Sequence, residues 1–331
     1  MQIKQNKAVK ALPGFIAGNP EWCGGMRERI QNATTKAELK SLWNKEIKPH
    51  LTHSVWSVMG SVAHFTDHTM KLRREPTGLV GQDDADALIS GLNSGLDTGD
   101  GSGPPASLGP VLGIAGMARG EMDRAEYIAL YGHRGPDEFE LSVPRPAEKP
   151  DWLDEQLARF RESPVDVEAL LSDKRAEFAA AWERFREKHP RKARSMRRRI
   201  GEVAPRGRLR ESVRSEYVRD RSVARAFALR AGELTGLGDD IFFLTVEEVL
   251  NALSGGTDAV KYIPARKETY RRYLALPAYP SIIRAFRPFP VGGGSKPALR
   301  YLRRLRRRLR LRFRRREKRG NKRFGGFCRP G

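Results

Sequence analysis

Residues 165–199 read VDVEALLSDKRAEFAAAWERFREKHPRKARSMRRR, and this stretch decides the fold class. Leu170, Leu171, Phe178, Trp182 and Phe185 recur at the spacing that gathers them on one face of an α-helix, with charged residues between them. Pro190 lacks a backbone donor and its ring clashes with the preceding turn, so it should kink or split the helix. The same logic extends outward. Residues 209–234 form a second long helical pattern, closed by Gly236-Leu-Gly as a C-cap. Ile241-Phe-Phe-Leu follows as a short apolar run. Thr245 with Glu248 three residues on is a capping-box signature opening a helix over 246–253, and a last helix is expected over 258–276, before Pro277.

Towards the N-terminus, Leu39, Leu42, Trp43 and Ile47 recur at helical spacing until Pro49, where the pattern should break. Val55, Trp56, Met59, Val62 and Phe65 make another apolar stripe on one helix face. Residues 91–110 (GLNSGLDTGDGSGPPASLGP) are rich in Gly, Ser, Asp and Pro and read as a mobile loop. Helical signals return at 123–130 and 151–160. The chain therefore reads as mostly α, with at most a few short strands and no internal repeat.

Charge points elsewhere at first sight. The formal net charge is +22, which usually indicates nucleic acid or an anionic membrane surface. From Arg284 to Gly331, however, there are 19 Lys or Arg and one acidic residue, leaving about +4 for residues 1–283. The expected organisation is a helical domain over 1–283 and an arginine-rich tail over 284–331, disordered or helical only through its composition. Such a tail could neutralise phosphates and bind nucleic acid nonspecifically, with steep salt dependence. A nucleic-acid-binding protein acting through this tail is thus one function class. No run reaches the roughly 20 apolar residues of a membrane helix. The first 15 residues lack the apolar core of a signal peptide, so no membrane partner and a cytoplasmic location are expected. Cys23 and Cys328, far apart, suggest neither a disulfide framework nor a thiolate metal site.

His50, His53, His64 and His68 raise a metal question. His64 and His68 are four apart, a spacing that sets two imidazoles on one helix face, but residue 65 is Phe where a zincin-type base would be Glu. They read as solvated or packing histidines. The densest polar stretch is YGHRGPDEFELSVPRP over 131–146, bounded by Gly and Pro and hence a loop, where function tends to concentrate. His133 can titrate near neutrality, and Arg134 offers a planar fork for carboxylate or phosphate. Glu138 and Glu140 alternate with Phe139 and Leu141 as on a short extended segment. Alternatively, Arg134 and the two glutamates form an internal ion-pair network at a structural corner.

The run over 131–153, YGHRGPDEFELSVPRPAEKPDWL, resembles the middle region of phosphoenolpyruvate-utilising enzymes, particularly phosphoenolpyruvate synthase-like proteins and rifampicin phosphotransferases. Residues 239–249 (DDIFFLTVEEV) and 266–284 (RKETYRRYLALPAYPSIIR) resemble two further stretches of that region, in the same order. The resemblance covers roughly 43–284. It implies a largely helical middle segment of a phosphotransferase that moves phosphoryl groups from ATP through a phosphohistidine to a small acceptor, either pyruvate-like or an antibiotic. It also implies ATP and magnesium as cofactors of the intact enzyme rather than of this segment. The ATP-grasp and phosphohistidine domains would be encoded separately, and the isolated chain is expected to be inactive. His133, Arg134, Glu138 and Glu140 become the acceptor-side candidates. The resemblance stops near Arg284, and degenerate codons for the tail, read one base along, permit a continuation similar to the family's. The tail accordingly reads as out-of-frame translation.

Overall fold

The computed structural model describes residues 2–93, 106–164 and 166–277. The chain divides into one compact unit, Met1–Tyr273, and a second, Leu274–Gly331. The basic tail, Cys328 and the expected 283/284 boundary lie outside the described residues.

Among the described residues every regular element is helical. In order they are α1 (Gln2–Asn32), α2 (Lys36–Leu42), α3 (Lys48–Val80), α4 (Gln82–Asn93), α5 (Gly109–Arg119), α6 (Arg124–Tyr131), α7 (Pro150–Glu162), α8 (Val167–Lys188), α9 (Pro190–Thr235), α10 (Val246–Ala252) and α11 (Ile263–Leu274). A π-helical turn, Trp43–Ile47, joins α2 to α3, and short 3₁₀ turns cover Pro146–Glu148, Gly238–Phe243 and Val260–Tyr262. No helix among the described residues is long and apolar enough to cross a membrane.

The spine is α9, 46 residues and therefore about 70 Å long at 1.5 Å per residue. Helices α1, α3, α4 and α8 pack on it. Its C-terminal half closes one core with α1, α2 and α10, built from Cys23, Ile30, Leu39, Ile47, Phe227 and Val249. Its N-terminal half closes a second core with α3, α4 and α8, around Phe65, Leu72, Leu88, Phe185, Met196 and Ile200.

Local signals act where they were expected. Pro190 ends α8 and opens α9, with His189 in a non-helical conformation between them. Gly236 adopts the left-handed conformation (φ 75°), and the Leu237 N–H donates to the Gly232 carbonyl at 2.9 Å, closing α9. Thr245 and Glu248 form the full capping box.

Four expectations need correction. Pro49 does not break the helix: it sits in the first turn of α3, where a missing donor costs little, and the π-turn before it absorbs the register change (the Lys48 N–H donates to the Trp43 carbonyl). Nor does the helix expected from residue 209 begin there; α9 runs unbroken through Pro205. Burial of Ile200, Val203 and Ala204 outweighs the one hydrogen bond that Pro205 forgoes. The ends of the segment 91–110 are helical, within α4 and α5, and 94–105 lie outside the described residues.

The fourth correction concerns the face of α3. Val55, Trp56, Met59 and Val62 are exposed, Trp56 at 71%, whereas Ser54, Ser57 and Ser61 are buried beside Phe65. Periodicity alone favoured the apolar stripe. The serines are small enough to let α3 approach its neighbours, and Ser61 Oγ donates to the Val58 carbonyl at 2.8 Å. Where α1, α3 and α9 meet, the interior is polar. Cys23 Sγ donates to Asp220 Oδ1 (3.3 Å), His50 Nε2 lies 2.8 Å from Asn19 Oδ1, and Asn19 Nδ2 donates to Glu216 Oε2 (3.1 Å). Burial, reinforced by the Asp220 charge, pushes the Cys23 thiol well above its usual range.

Candidate functional site

The loop after α6 is held from both sides. Asp123 caps α6 by accepting from the Glu126 N–H (2.8 Å), and Gly132 ends it. A Cβ on Gly132 would stand 2.5 Å from the Ile128 carbonyl oxygen, so only glycine fits that exit. One face of α9 then supplies the anchors. Arg214 Nη2 donates to Glu138 Oε1 (3.1 Å), Ser215 Oγ lies 3.2 Å from His133 Nε2, and Arg225 Nη1 donates to the Leu141 carbonyl (2.7 Å). Arg225 Nε also pairs with Glu148 Oε2 at 2.7 Å. Inside the loop, the fully buried Arg145 donates to the Asp137 and Glu140 carbonyls (3.4 and 3.1 Å).

Residues 138–141 are not extended, as their alternation suggested. Asp137 takes a left-handed φ of 53°, and the Glu140 N–H donates back to the Asp137 carbonyl at 2.8 Å. The turn sends the four candidate residues in different directions. Arg134 Nε donates to Glu138 Oε2 (2.8 Å), so with Arg214 on its other oxygen Glu138 sits between two guanidiniums. Glu140 takes no part in that network and instead accepts from the Ser142 N–H and Oγ (3.0 and 2.8 Å).

Three cavities border this loop, and the candidates divide among them. Glu140 lines a cleft of about 580 Å³ with Ser142, Phe242, Phe243, Tyr262 and Tyr270. Arg134 and Glu138 line a second, of about 400 Å³, against Ile114, Tyr127, Trp152 and Phe160. His133 and Arg145 line a third, of about 550 Å³, with Arg27, Glu28, Glu148 and Arg230. Neighbours in sequence therefore serve separate spaces. The sequence reading missed Arg145, Arg214, Ser215, Arg225 and Arg266. The α9 side chains lie about 80 residues beyond the loop they grip, and no local pattern marks them.

His133 is 6% exposed. Burial first, then the positive charges of Arg219, Arg134 and Arg27, drive its pKa down to about 2, so the ring is neutral in the folded protein. The sign of the linkage follows. Below the ordinary histidine value of 6.5 the unfolded chain takes up this proton and the folded chain does not, so stability falls as pH drops from 6.5 towards 2. This site's contribution has a slope approaching about 1.4 kcal/mol per pH unit. Urea unfolding at pH 7 and pH 5 should show the loss, and His133→Gln should reduce it; an unchanged pH dependence in that variant would contradict a buried neutral ring.

The histidine pair on α3 shares one face, with ring centroids 4.4 Å apart, and Arg206 Nε donates to His64 Nε2 at 2.9 Å. Burial, then His68 and Arg206, hold His64 below its ordinary pKa. His50 stacks on Trp22 with centroids 3.4 Å apart. Among the described residues no group of three or more His, Cys, Asp or Glu could hold a metal ion.

The 580 Å³ cleft has a distinct chemistry. Its walls are aromatic, with Phe243 and Tyr270 in an edge-to-face pair at 5.9 Å. Arg266 is the cation on its lining and is already committed, bidentate to Glu248 (2.6 and 2.8 Å) and donating to the Phe243 carbonyl (2.8 Å). That pairing, with the Thr245 backbone bond, draws the Glu248 carboxyl down to about 2. Glu140 is the carboxylate there, steadied by Ser142, with the Thr269 hydroxyl nearby on the lining. Such a space suits a hydroxyl-bearing aromatic molecule better than a small free anion. A scan against models of protein families finds no match to this chain, and a search among curated proteins finds none.

Proposed function

We propose that this chain is the acceptor-side helical segment of a phosphoenolpyruvate synthase-like phosphotransferase, and that its acceptor is an aromatic, hydroxylated molecule of the antibiotic kind rather than pyruvate. One observation carries the reading. Of the three stretches that resemble that family, 131–153 lies far in sequence from 239–249 and 266–284, yet each contributes side chains to the same cleft: Glu140 and Ser142, Phe242 and Phe243, Arg266 and Tyr270. The aromatic walls and the committed Arg266 favour the antibiotic-type acceptor, because pyruvate would need an unpaired cation for its carboxylate. Glu140 would take the proton from the acceptor hydroxyl as the phosphoryl group arrives. Arg134 and Glu138, locked to each other, would shape the loop rather than touch substrate. ATP, magnesium and the phosphohistidine would act in the ATP-grasp and phosphohistidine domains.

Calorimetric titration with rifampicin and, separately, pyruvate tests the reading. Rifampicin is expected to bind and pyruvate not to. Tyr270→Ala, at a position 41% exposed, should weaken rifampicin about tenfold through lost aromatic burial, without unfolding the chain. The purified chain with ATP and either compound should leave the ATP intact. Binding of pyruvate alone would overturn the acceptor class, binding of neither would overturn the site, and ATP consumption would overturn the division of labour.

A further inference from the structure

The third cavity is bordered by a buried guanidinium that makes no direct ion pair among the described residues. Arg145, 2% exposed, lines it, and among the described residues no carboxylate pairs with this guanidinium. Its partners are two backbone carbonyls at 3.1 and 3.4 Å, and its Nε has none. A buried cation without a direct ion pair is costly: burial, then the Arg225 charge, hold Arg145 below its ordinary pKa, and Glu148, Glu138 and Glu140 offset this only in part. The carboxylates on the lining are mostly spent: Glu148 on Arg225, and Glu233 on Arg230. What remains is Arg27 beside Glu28 on α1, both exposed, and Arg145 with His133 from the loop, both buried. The Nδ1 of His133 is buried and also without a partner. Arg219, Arg134 and Arg27 all act on that ring as positive charges; the first two are paired with Glu216 and Glu138, and Arg27 is the one of the three that lines this cavity.

We propose that this cavity, between α1, the 131–148 loop and α9, binds a small oxyanion, a phosphate or carboxylate group, whose charge neutralises Arg145. Arg27 lies on the same lining and adds a second cation. His133 borders the same space, with its Nε2 held 3.2 Å from Ser215 Oγ, so its ring reports on occupancy of the cavity. The volume of about 550 Å³ admits a phosphorylated or carboxylated metabolite as readily as the free ion. Binding here would tie the loop to α1 and α9 together, because Arg145 already holds the loop's own turn through the Asp137 and Glu140 carbonyls. The proposal uses a different cavity from the aromatic cleft and does not depend on the phosphotransferase reading.

The arginine-rich tail will also attract anions, so the test must report on this place. The imidazole signals of His133, assigned by comparison with His133→Gln, are followed by NMR while the full chain is titrated with inorganic phosphate, and separately with acetate, at constant ionic strength. Saturable movement of the His133 signals with either probe is expected, and the probe that acts names the oxyanion class. Arg145→Met should weaken that binding by at least about tenfold, the usual worth of a hydrogen bond to a charged group. Should Arg145→Met fail to fold, Arg27→Gln, at an exposed position, should still weaken binding measurably in a folded chain. Static His133 signals with both probes, a folded Arg145→Met that binds as tightly as wild type, or, where Arg145→Met does not fold, unchanged affinity in Arg27→Gln would each overturn the proposal.

Discussion

Replacing Phe185 by alanine should destabilise the fold by about 3–5 kcal/mol. Phe185 is completely buried in the last turn of α8 and belongs to the core it shares with Phe65, Leu72, Leu88, Met196 and Ile200. Trp182 stacks beside it at 5.8 Å, and the His189 ring lies at 5.6 Å. Truncation removes the ring's transfer free energy and leaves a cavity that three helices cannot all collapse into. Leu170 was read on the same stripe but is 57% exposed, so Leu170→Ala should change stability by less than about 0.5 kcal/mol. Denaturant unfolding followed by far-ultraviolet circular dichroism compares the two. Equal losses at both positions would mean that α8 does not bury its C-terminal turn in the way described.

Alanine at two glycines of α9 should act with opposite signs. At Gly232 an added Cβ would stand 2.3 Å from the Gly238 carbonyl oxygen, which belongs to the backbone of the following 3₁₀ turn and cannot swing aside. The turn would have to move, taking Ile241 with it out of the first core, at a cost of about 1–3 kcal/mol. At Gly201 a Cβ meets nothing within 4 Å, and the residue is exposed in the helix interior. There alanine only restricts the unfolded chain and favours the helix, for a gain of about 0.5–1 kcal/mol. Thermal unfolding of both variants should bracket the wild type. A neutral Gly232→Ala would remove the argument that α9 and the 3₁₀ turn are packed backbone to backbone.

Much of the helical organisation was legible because its stop and start signals are local. Pro190, Gly236 and the Thr245–Glu248 box each act through their own backbone neighbours, and each sits where its chemistry predicts. Pro49 and Pro205 misled for the complementary reason. A proline's penalty is one hydrogen bond and a local clash, and the π-turn in one case and core burial in the other outweigh it. The stripe on α3 misled because periodicity shows that a helix has an apolar face without showing what lies opposite that face.

The site was legible only as a loop. Its glycines, prolines and charged residues marked 131–146 as unusual, and one of the two readings open at that point, an internal ion-pair network of Arg134 with Glu138 and Glu140, is met for Glu138 but not for Glu140, which bonds Ser142 instead. The rest depends on α9. Arg214, Ser215 and Arg225 reach the loop from about 80 residues away, and the left-handed Asp137 turns Glu140 from the ion-pair network towards the aromatic cleft.

The amino-acid sequence by itself determined that this chain is helical and where most of its helices stop, since helix formation and capping are settled within a few residues. Only the tertiary structure decided which faces are buried, how four polar residues within 133–140 are shared among three cavities, and that Arg145 lies buried with no direct ion pair among the described residues. Those outcomes depend on long-range packing against one central helix, and neither the spacing nor the composition of a segment encodes its partner.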